Sequence, residues 1–204
     1  MIAEQTELFA PLRALPKGLR YEEDFLDAEE EQALLAGLAE LPLREARYKE
    51  WVAKRRVVSY GGRYDFDRNV LLPDAPIPPF LRSVRARAAD WAAIAAAHLG
   101  YAVVAEYRPG TALGWHRDVP EFGVVVGVSL AGVARMRFRH YPHVSGTGAR
   151  VLSLELKPRS IYLLRGDARW QWQHAISPTK TLRYSITFRA LRQAGDAVRV
   201  AAAP

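Results

Sequence analysis

The sequence of 204 residues contains no cysteine and no long apolar run. Without cysteine the chain forms no disulfide bond and no zinc site with thiolate ligands, which fits a protein of the cytosol. The most apolar window, residues 91–105, is interrupted by His98 and is mostly alanine, so it is too short and too weakly apolar to span a bilayer. The first residues lack the basic and apolar regions of a signal peptide. We therefore expect a cytoplasmic protein without a membrane segment.

Acidic residues are scarce in most of the chain. Residues 1–50 hold 6 Lys and Arg against 12 Asp and Glu, whereas residues 51–204 hold 23 against 10. A basic region of this size favours a polyanionic partner such as nucleic acid. The alternative is a solvated, arginine-rich surface that binds no partner.

Helical patterns precede β-like patterns along the chain. Asp27, followed by three glutamates, is a good N-cap and predicts a helix that ends at Pro42. A second helix is predicted to begin at Pro78 or Pro79 and to run to Leu99. The following part contains seven short β-like runs: 101–107, 124–130, 134–139, 150–156, 160–164, 172–176 and 183–190. We predict a mostly β fold with flanking helices (α+β), a double-stranded β-helix (jelly roll) with two helices packed on its outer sheet.

Two histidines and one aspartate have the spacing of a metal site. His116 and Asp118 are separated by one residue, and His174 follows Asp118 by 56 positions. In an extended strand H-x-D places both side chains on the same face, because side chains alternate with a period of two. Two imidazoles and one carboxylate occupy one face of an octahedral Fe(II) and leave the remaining positions for a cosubstrate and oxygen. We predict that these three residues bind iron.

Fe(II) oxygenases of this kind often use a 2-oxo acid as cosubstrate. Its distal carboxylate needs a fixed cation, which arginine supplies with two parallel hydrogen bonds. Arg183 and Arg189, nine and fifteen residues after His174, are the candidates.

Four segments of the chain carry a family resemblance: EYRPGTALGWHRD (106–118), FGVVVGVSL (122–130), LLRGDARWQWQH (163–174) and RYSITFR (183–189). Together they resemble the AlkB family of Fe(II)/2-oxoglutarate dioxygenases, over about residues 50 to 192. The resemblance implies the same β-helix fold, with Fe(II), 2-oxoglutarate and O₂ as cofactor and cosubstrates. It also implies oxidative demethylation of N-alkylated nucleobases in DNA or RNA, with release of formaldehyde, succinate and CO₂.

The resemblance assigns further roles to single residues. Arg183 matches the family arginine that pairs with the distal carboxylate of 2-oxoglutarate, and Tyr107 matches a tyrosine that touches the cosubstrate. Ser185 stands where the best-known members carry asparagine. Arg189 matches the last arginine of the signature, near the cosubstrate and the substrate base. Arg169 matches a recurrent arginine before the distal histidine, with a supporting role behind the metal ligands.

A lid over the substrate base is expected at about residues 50–72. The segment KRRVVSYGGRYDF (54–66) mixes basic and aromatic side chains, which hold phosphates and stack on bases. The alternative is a hairpin that packs its aromatic residues into the core. We assign substrate binding to five residues: Tyr64, Phe66, Arg55, Arg56 and Trp115.

One departure from the family affects the choice of substrate. Several base-repairing members carry an acidic residue two positions after the aspartate ligand, where this chain has Pro120 followed by Glu121. More divergent AlkB-like branches share such a segment, and some act on RNA or protein. Two alternatives therefore stay open: an oxygenase that acts on tRNA, protein or a small molecule, and a nucleic-acid-binding module without turnover.

The domain boundaries follow from these patterns. Residues 1–18 are expected to be a flexible tail, 19–192 a single domain with its jelly-roll core at about 101–192, and 193–204 a second tail; we expect a monomer. The first tail contains Q-x-x-L-F at Gln5, Leu8 and Phe9, which resembles the peptide by which bacterial repair proteins dock on the sliding clamp. The alternative is that Leu8 and Phe9 pack on the domain itself.

Overall fold

The structure is a computed structural model that describes residues 15–48, 51–143 and 151–193. Within these ranges the chain forms thirteen strands: β1 (Leu19–Glu22), β2 (Arg44–Tyr48), β3 (Trp51–Tyr60), β4 (Gly62–Asp65), β5 (Val70–Pro73), β6 (Tyr101–Tyr107), β7 (Leu113–His116), β8 (Phe122–Leu130), β9 (Ala134–His140), β10 (Leu152–Leu156), β11 (Ile161–Leu164), β12 (Trp172–Ile176) and β13 (Arg183–Leu191). Three α-helices accompany them: α1 (Ala28–Ala39), α2 (Arg82–Ala92) and α3 (Asp167–Trp170).

Two antiparallel sheets form the body of the fold. The larger sheet has seven strands in the order β1-β11-β8-β13-β6-β3-β2, and the smaller sheet has four in the order β10-β9-β12-β7. An apolar layer lies between them, and both sheets contribute to it, for example through Tyr107, Met136, Phe138 and Leu164. The predicted double-stranded β-helix is confirmed. All seven β-like runs form strands whose ends lie within two residues of those predicted.

Helices α1 and α2 cover the outer face of the larger sheet, as predicted. Leu34 and Leu38 of α1 are buried in one cluster with Val84 and Ala88 of α2 and with sheet residues such as Phe188. This second apolar layer supports the larger sheet from behind. Within the described ranges, no helix is both long enough and apolar enough to cross a bilayer.

The helix ends differ in how well the sequence predicts them. Asp27 caps α1, because its carboxylate accepts a hydrogen bond from the Glu30 N–H and the Glu30 side chain accepts one from the Asp27 N–H. Helix α2 ends at Ala92, and the prediction that it runs to Leu99 was wrong. Ala93 adopts a left-handed φ of 55°. Glycine is the residue that usually adopts this conformation, so an alanine gives no indication in the sequence that the helix ends there.

The predicted lid region of residues 50–72 is too long. Strand β3 pairs with β6, with Val57 opposite Ala105, and therefore belongs to the larger sheet. Strands β4 and β5 form a separate two-stranded sheet, which we call the lid hairpin. The chain turns into the lid hairpin at Gly61, where φ is 75° and an added Cβ atom would lie 2.0 Å from the Gly100 carbonyl oxygen. Of the predicted lid region, the hairpin and not β3 therefore lies outside the larger sheet.

Several predictions concern residues outside the described ranges or properties that the fold does not test. The clamp motif at Gln5, Leu8 and Phe9 lies within residues 1–14, outside the described residues, as does most of the segment 193–204. Docking on a sliding clamp, the monomeric state and the cytoplasmic location stay predictions.

Candidate active site

Strands β7 and β12 bring the two predicted histidine ligands side by side. His116 pairs across the smaller sheet with His174, and their ring centroids are 4.2 Å apart. Oδ2 of Asp118 lies 3.6 Å from Nε2 of His174. One donor atom from each of the three side chains lies within 4.8 Å of the others. The structure therefore gathers the three residues predicted to bind iron, which we call the His-Asp-His cluster.

Asp118 reaches the cluster from a loop, and not from the strand that the H-x-D spacing predicts. Strand β7 ends at His116. Beyond it the buried guanidinium of Arg169, in α3, donates hydrogen bonds to the backbone carbonyls of Asp118 (2.9 Å), Val119 (2.6 Å) and Phe122 (2.9 Å). Arg169 thus holds the loop that presents Asp118, and its supporting role in metal binding stays a prediction.

The donor atoms of the cluster fit a divalent metal. Oδ1 of Asp118 accepts a hydrogen bond from Arg189 at 3.1 Å, while Oδ2 is buried and has no hydrogen-bond partner among the residues described. Nδ1 of His116 donates to the Gly114 carbonyl oxygen at 2.9 Å, which leaves the lone pair on Nε2. A buried carboxylate oxygen without a partner is costly unless a cation binds it. Two imidazoles and one carboxylate are the ligand set of Fe(II) oxygenases.

The surroundings keep the carboxyl group charged and the imidazoles neutral. Burial lowers the pKa of His174 to about 3 and also lowers the pKa of His116. Burial alone would raise the pKa of Asp118, but the positive charge of Arg189, with a smaller contribution from Arg169, holds that pKa well below its usual range. Because His174 is neutral, its contact with Asp118 is not an ion pair. These are the protonation states that metal binding requires.

The predicted cosubstrate residues lie in the same cavity of about 1190 Å³ as the cluster. Arg183 is only 1% exposed. Its Nε donates to Oγ of Ser129 at 3.1 Å, and its guanidinium lies 4.9 Å from the centroid of the Tyr107 ring. Ser185 is buried two residues further along β13 and lines the cavity as well. Arg189, the fourth predicted member, is engaged with Asp118.

Residues 18–189 match the sequence profile of the 2OG-Fe(II) oxygenase superfamily. The chain belongs to this superfamily. Among its relatives, the Alkylated DNA repair protein ALKBH8 homolog of Arabidopsis thaliana is 32% identical over 174 residues, which covers 75% of this chain and 49% of that protein. The tRNA (carboxymethyluridine(34)-5-O)-methyltransferase ALKBH8 of Mus musculus is 25% identical over 187 residues, which covers 87% of this chain and 27% of that protein. The oxygenase thus spans between a quarter and a half of the length of these relatives.

Solved structures show the same fold. The structure of OsALKBH1 superposes with a TM-score of 0.65 at 15% identity and covers 87% of this chain and 100% of that chain. A prolyl-4-hydroxylase from Pseudomonas putida superposes with a TM-score of 0.57 at 18% identity and covers 86% of this chain and 93% of that chain. These two structures show the fold alone, and it is the superfamily match together with the sequence relatives that indicates an AlkB-like 2OG-Fe(II) oxygenase. The superfamily uses Fe(II), 2-oxoglutarate and O₂, and the His-Asp-His cluster fits its iron.

The depressed pKa of His174 predicts that the oxygenase loses stability on mild acidification. Between about pH 6.5 and 3 the unfolded chain binds a proton at this histidine that the folded chain excludes, since the pKa is about 6.5 for a free imidazole and about 3 for His174. The free energy of unfolding of the metal-free protein should fall by about 1.4 kcal/mol per pH unit from this group. The depressed pKa of Asp118 adds a loss only below about pH 4. Urea unfolding at a series of pH values should give a shallower dependence for His174→Gln, and parallel curves would contradict the prediction.

The lid hairpin places two predicted substrate aromatics at the cavity. Tyr64 and Phe66 line it, and their ring centroids are 5.0 Å apart in an edge-to-face contact. Both rings are partly exposed, so they are not core residues of a packed hairpin. Arg55, on β3, lines the cavity too, and its Nη1 donates to the Tyr107 hydroxyl at 3.4 Å.

The prediction that Arg56 binds substrate was wrong. Side chains alternate along β3, so Arg56 and Arg55 point to opposite faces of the larger sheet. The guanidinium of Arg56 pairs with Glu106 at 3.1 Å and donates to the Leu43 carbonyl at 2.9 Å. Lys54, which is exposed, has the same parity as Arg56. The three consecutive basic residues therefore do not form one phosphate-binding cluster.

Trp115 borders the cavity, and its role in substrate binding stays a prediction. Its ring also lies beneath two arginines that carried no motif in the sequence. The guanidinium of Arg137 is 4.9 Å from the ring centroid, and that of Arg139 is 4.6 Å from it. Both distances are those of cation–π contacts.

Sequence reasoning missed Tyr162, which also lines the cavity. Burial raises the pKa of its hydroxyl to about 12, although the charge of Arg183 lowers it. The tyrosine lies in an apolar run and matches no motif. The one feature of the sequence that could have indicated the position of Tyr162 is Gly127 of β8. A Cβ atom there would lie 2.2 Å from the Tyr162 ring, and a glycine inside a strand often marks such a close approach.

Proposed function

We propose that this oxygenase oxidises an alkyl group on a nucleobase of DNA or RNA, with Fe(II), 2-oxoglutarate and O₂. Oxidation of an N-methyl group gives an N-hydroxymethyl group, whose C–N bond then breaks to leave formaldehyde and the free N–H. The observation that carries the proposal is that the carboxylate of Asp118, with its unpartnered oxygen, lies within 4.8 Å of a donor nitrogen of each neutral imidazole, in the same cavity as the buried Arg183.

Bound iron, cosubstrate and O₂ supply the oxidising chemistry, which yields succinate and CO₂ and adds one oxygen atom to a substrate C–H bond. The side chains of the protein position the cosubstrate and the metal ligands. Arg183 offers the distal carboxylate a buried cation held in place by Ser129 and the Tyr107 ring. Arg189 holds the carboxylate of Asp118 and Arg169 holds its backbone carbonyl, which would keep Oδ2 available to bind iron.

The entrance supports a nucleic acid as substrate. Aromatic rings of Tyr64 and Phe66 and the guanidinium of Arg55 line the cavity, which suits a base that is flipped out and stacked. The cavity of about 1190 Å³ exceeds the usual volume of a small-molecule site, about 300–1,000 Å³. It therefore has room for a cosubstrate and a base together. The names of two relatives, one a DNA repair protein and one a tRNA-modifying enzyme, point to the same class of substrate.

A second candidate is oxidation of a tRNA base at a carbon atom, without loss of the alkyl group. Three relatives are named for a tRNA modification, and Pro120 replaces the acidic residue of several base-repairing members. The oxygenase covers only about a quarter of these relatives, so the methyltransferase activity in their names does not extend to it. A non-catalytic module would not need the complete His-Asp-His cluster.

One experiment separates these functions. The iron-loaded protein is incubated with 2-oxoglutarate and a panel of substrates: methylated single-stranded DNA, methylated duplex DNA, methylated RNA, tRNA and methylated peptide. Succinate and formaldehyde are quantified, and the substrate is analysed by mass spectrometry. N-demethylation gives formaldehyde equal to succinate, whereas oxidation at a carbon gives succinate and a substrate with one added oxygen. Stimulation of succinate release by the peptide alone would contradict the proposal.

The lid hairpin supplies a further prediction. Because stacking contributes about 1–3 kcal/mol per base, Tyr64→Ala or Phe66→Ala should raise KM for a modified oligonucleotide roughly 5- to 150-fold. The KM for 2-oxoglutarate should stay unchanged, since neither ring belongs to the cosubstrate group. Tyr64→Phe is the matched control, because it keeps the ring and should retain most of the affinity. Unchanged oligonucleotide KM in both alanine variants would place the base elsewhere.

A further inference from the structure

A row of arginines covers the outer face of the smaller sheet. Along β9, the alternate residues Ala134, Met136 and Phe138 are buried between the sheets. Arg135, Arg137 and Arg139 therefore project from the opposite face. At a rise of about 3.3 Å per residue, neighbouring members of the row stand roughly 6.6 Å apart along the strand. We call these three residues the arginine row.

The arginine row has little negative charge around it. Across β10, Ser153 and Glu155 lie opposite Arg137 and Arg135, and across β12, Gln173 and Ala175 lie opposite Arg139 and Arg137. Glu155 is the one carboxylate among these facing partners. In the described part of the chain, no salt bridge joins a member of the row to a carboxylate. Three like charges at this spacing repel one another, and a polyanion would relieve that repulsion.

Two members of the row are held in place by an aromatic ring. Arg137 and Arg139 lie 4.9 Å and 4.6 Å from the centroid of Trp115, and Nε of Arg139 donates to Oε1 of Gln173 at 2.8 Å. These contacts limit the rotation of the long side chains, so less freedom is lost when they bind a ligand. Arginine beside tryptophan is also the mixture that binds single strands, with phosphates on the guanidinium groups and a base on the ring.

The arginine row on β9 lies in the same sheet as strands β7 and β12, which carry the two histidines of the active site. Trp115 directly precedes His116, and Gln173 directly precedes His174, so the outer face of β7 and β12 lies behind the His-Asp-His cluster. Trp115 and Arg117 also border the cavity. The guanidinium of Arg117 lies 3.6 Å from the centroid of the Tyr141 ring, which continues the mixture of arginine and aromatic residues towards the end of β9.

We propose that the arginine row and Trp115 bind the single-stranded nucleotides that flank the modified base, with phosphates on the arginines and a base on the indole. The occupant is the substrate strand itself, so its identity rests on the proposed function. The strand enters the cavity past Trp115 and continues over the outer face of the smaller sheet. The lid hairpin and the arginine row then contact the strand at different nucleotides.

The test is the salt dependence of binding to a fluorescent single-stranded 12-mer with one methylated base. Each phosphate contact contributes about 0.7 to the slope of log K against log salt for single strands, so the triple variant Arg135→Gln, Arg137→Gln, Arg139→Gln should lower the slope by about 2. The single variant Arg135→Gln, which leaves the Trp115 contacts intact, should lower it by about 0.7. The melting temperature of each variant checks that the sheet is intact.

The matched control removes equal charge from the helical side of the molecule, through Arg20→Gln, Arg82→Gln and Arg85→Gln. This control should keep the wild-type slope, and parallel arms with DNA and RNA of one base sequence show which strand binds more tightly. A wild-type slope in both the triple and the single row variants, or an equal loss in the control, would overturn the proposal. Failure of the proposed function looks different: the wild type would then release no succinate with any nucleic acid, whatever the slopes.

Discussion

Replacing Asp118 with alanine should abolish the iron-dependent conversion of 2-oxoglutarate to succinate while the fold is kept. The carboxylate is the anionic donor of the His-Asp-His cluster, and its Oδ2 atom is buried without a partner. Loss of a partner that only supports a ligand costs about 10–100-fold in metal affinity or activity, so loss of the ligand itself should exceed that range. His116→Ala and His174→Ala should have the same effect. Succinate release, bound iron and the melting temperature are the three measurements.

His98→Ala is the control for this series. His98 is exposed in the turn after α2, so its replacement should change neither iron content nor turnover. Full turnover of 2-oxoglutarate in any one cluster variant would remove that residue from the metal site. Asp118→Asn adds a test of charge, because it keeps the shape of the side chain but supplies no anion for iron or for Arg189.

Replacing Arg183 with alanine should raise KM for 2-oxoglutarate by two orders of magnitude or more. A hydrogen bond to a charged group contributes about 1.5–3 kcal/mol, and a bidentate pair loses two of them, which corresponds to roughly 100-fold or more. Because Arg183 is only 1% exposed, no water replaces it easily as a partner of the carboxylate. The measurement is the initial rate of succinate release as 2-oxoglutarate is varied, with iron and substrate saturating.

Arg183→Lys serves as the companion variant. It keeps one positive charge but cannot form two parallel hydrogen bonds, so KM should lie between those of the wild type and of Arg183→Ala. The melting temperatures of both variants show whether the loss of contacts with Ser129 and Tyr107 disturbs the sheet. An unchanged KM in Arg183→Ala would place the carboxylate partner elsewhere, with Arg189 as the next candidate.

Most strands that form the cavity could be predicted closely, because each is a short apolar or alternating run between turn residues; β7 was not among the predicted runs. Strands β6 and β12 have the predicted ends, and the pairing of β7 with β12 brings His116 to His174. Motif spacing was sufficient for these residues because two strands of a sheet hold them. The helix caps could be predicted where a side chain makes the cap, as at Asp27, but not where a backbone turn at Ala93 does.

Other parts of the site depend on contacts that no local pattern contains. The H-x-D spacing predicted that Asp118 lies on a strand, but the side chain is presented by a loop that Arg169 holds from 51 residues away. Arg55 and Arg56 are neighbouring arginines that the sequence alone does not distinguish. Only the pairing of β3 with β6 decides which of them faces the cavity. The arginine row matches no sequence motif either, because it is recognised only once the three side chains are seen on the same outer face of the smaller sheet.

Anaerobic titration with Fe(II) and 2-oxoglutarate is the measurement that tests the central claim most directly. A 2-oxo acid bound to Fe(II) would give a visible charge-transfer absorption, which reports iron and cosubstrate together in the site. We predict that the band saturates at one Fe(II) and one 2-oxoglutarate per chain, that it is absent in Asp118→Ala, and that Arg183→Ala needs far more 2-oxoglutarate to reach it. A wild-type protein that binds iron and develops no such band, or an Asp118→Ala variant that develops it fully, would contradict the account.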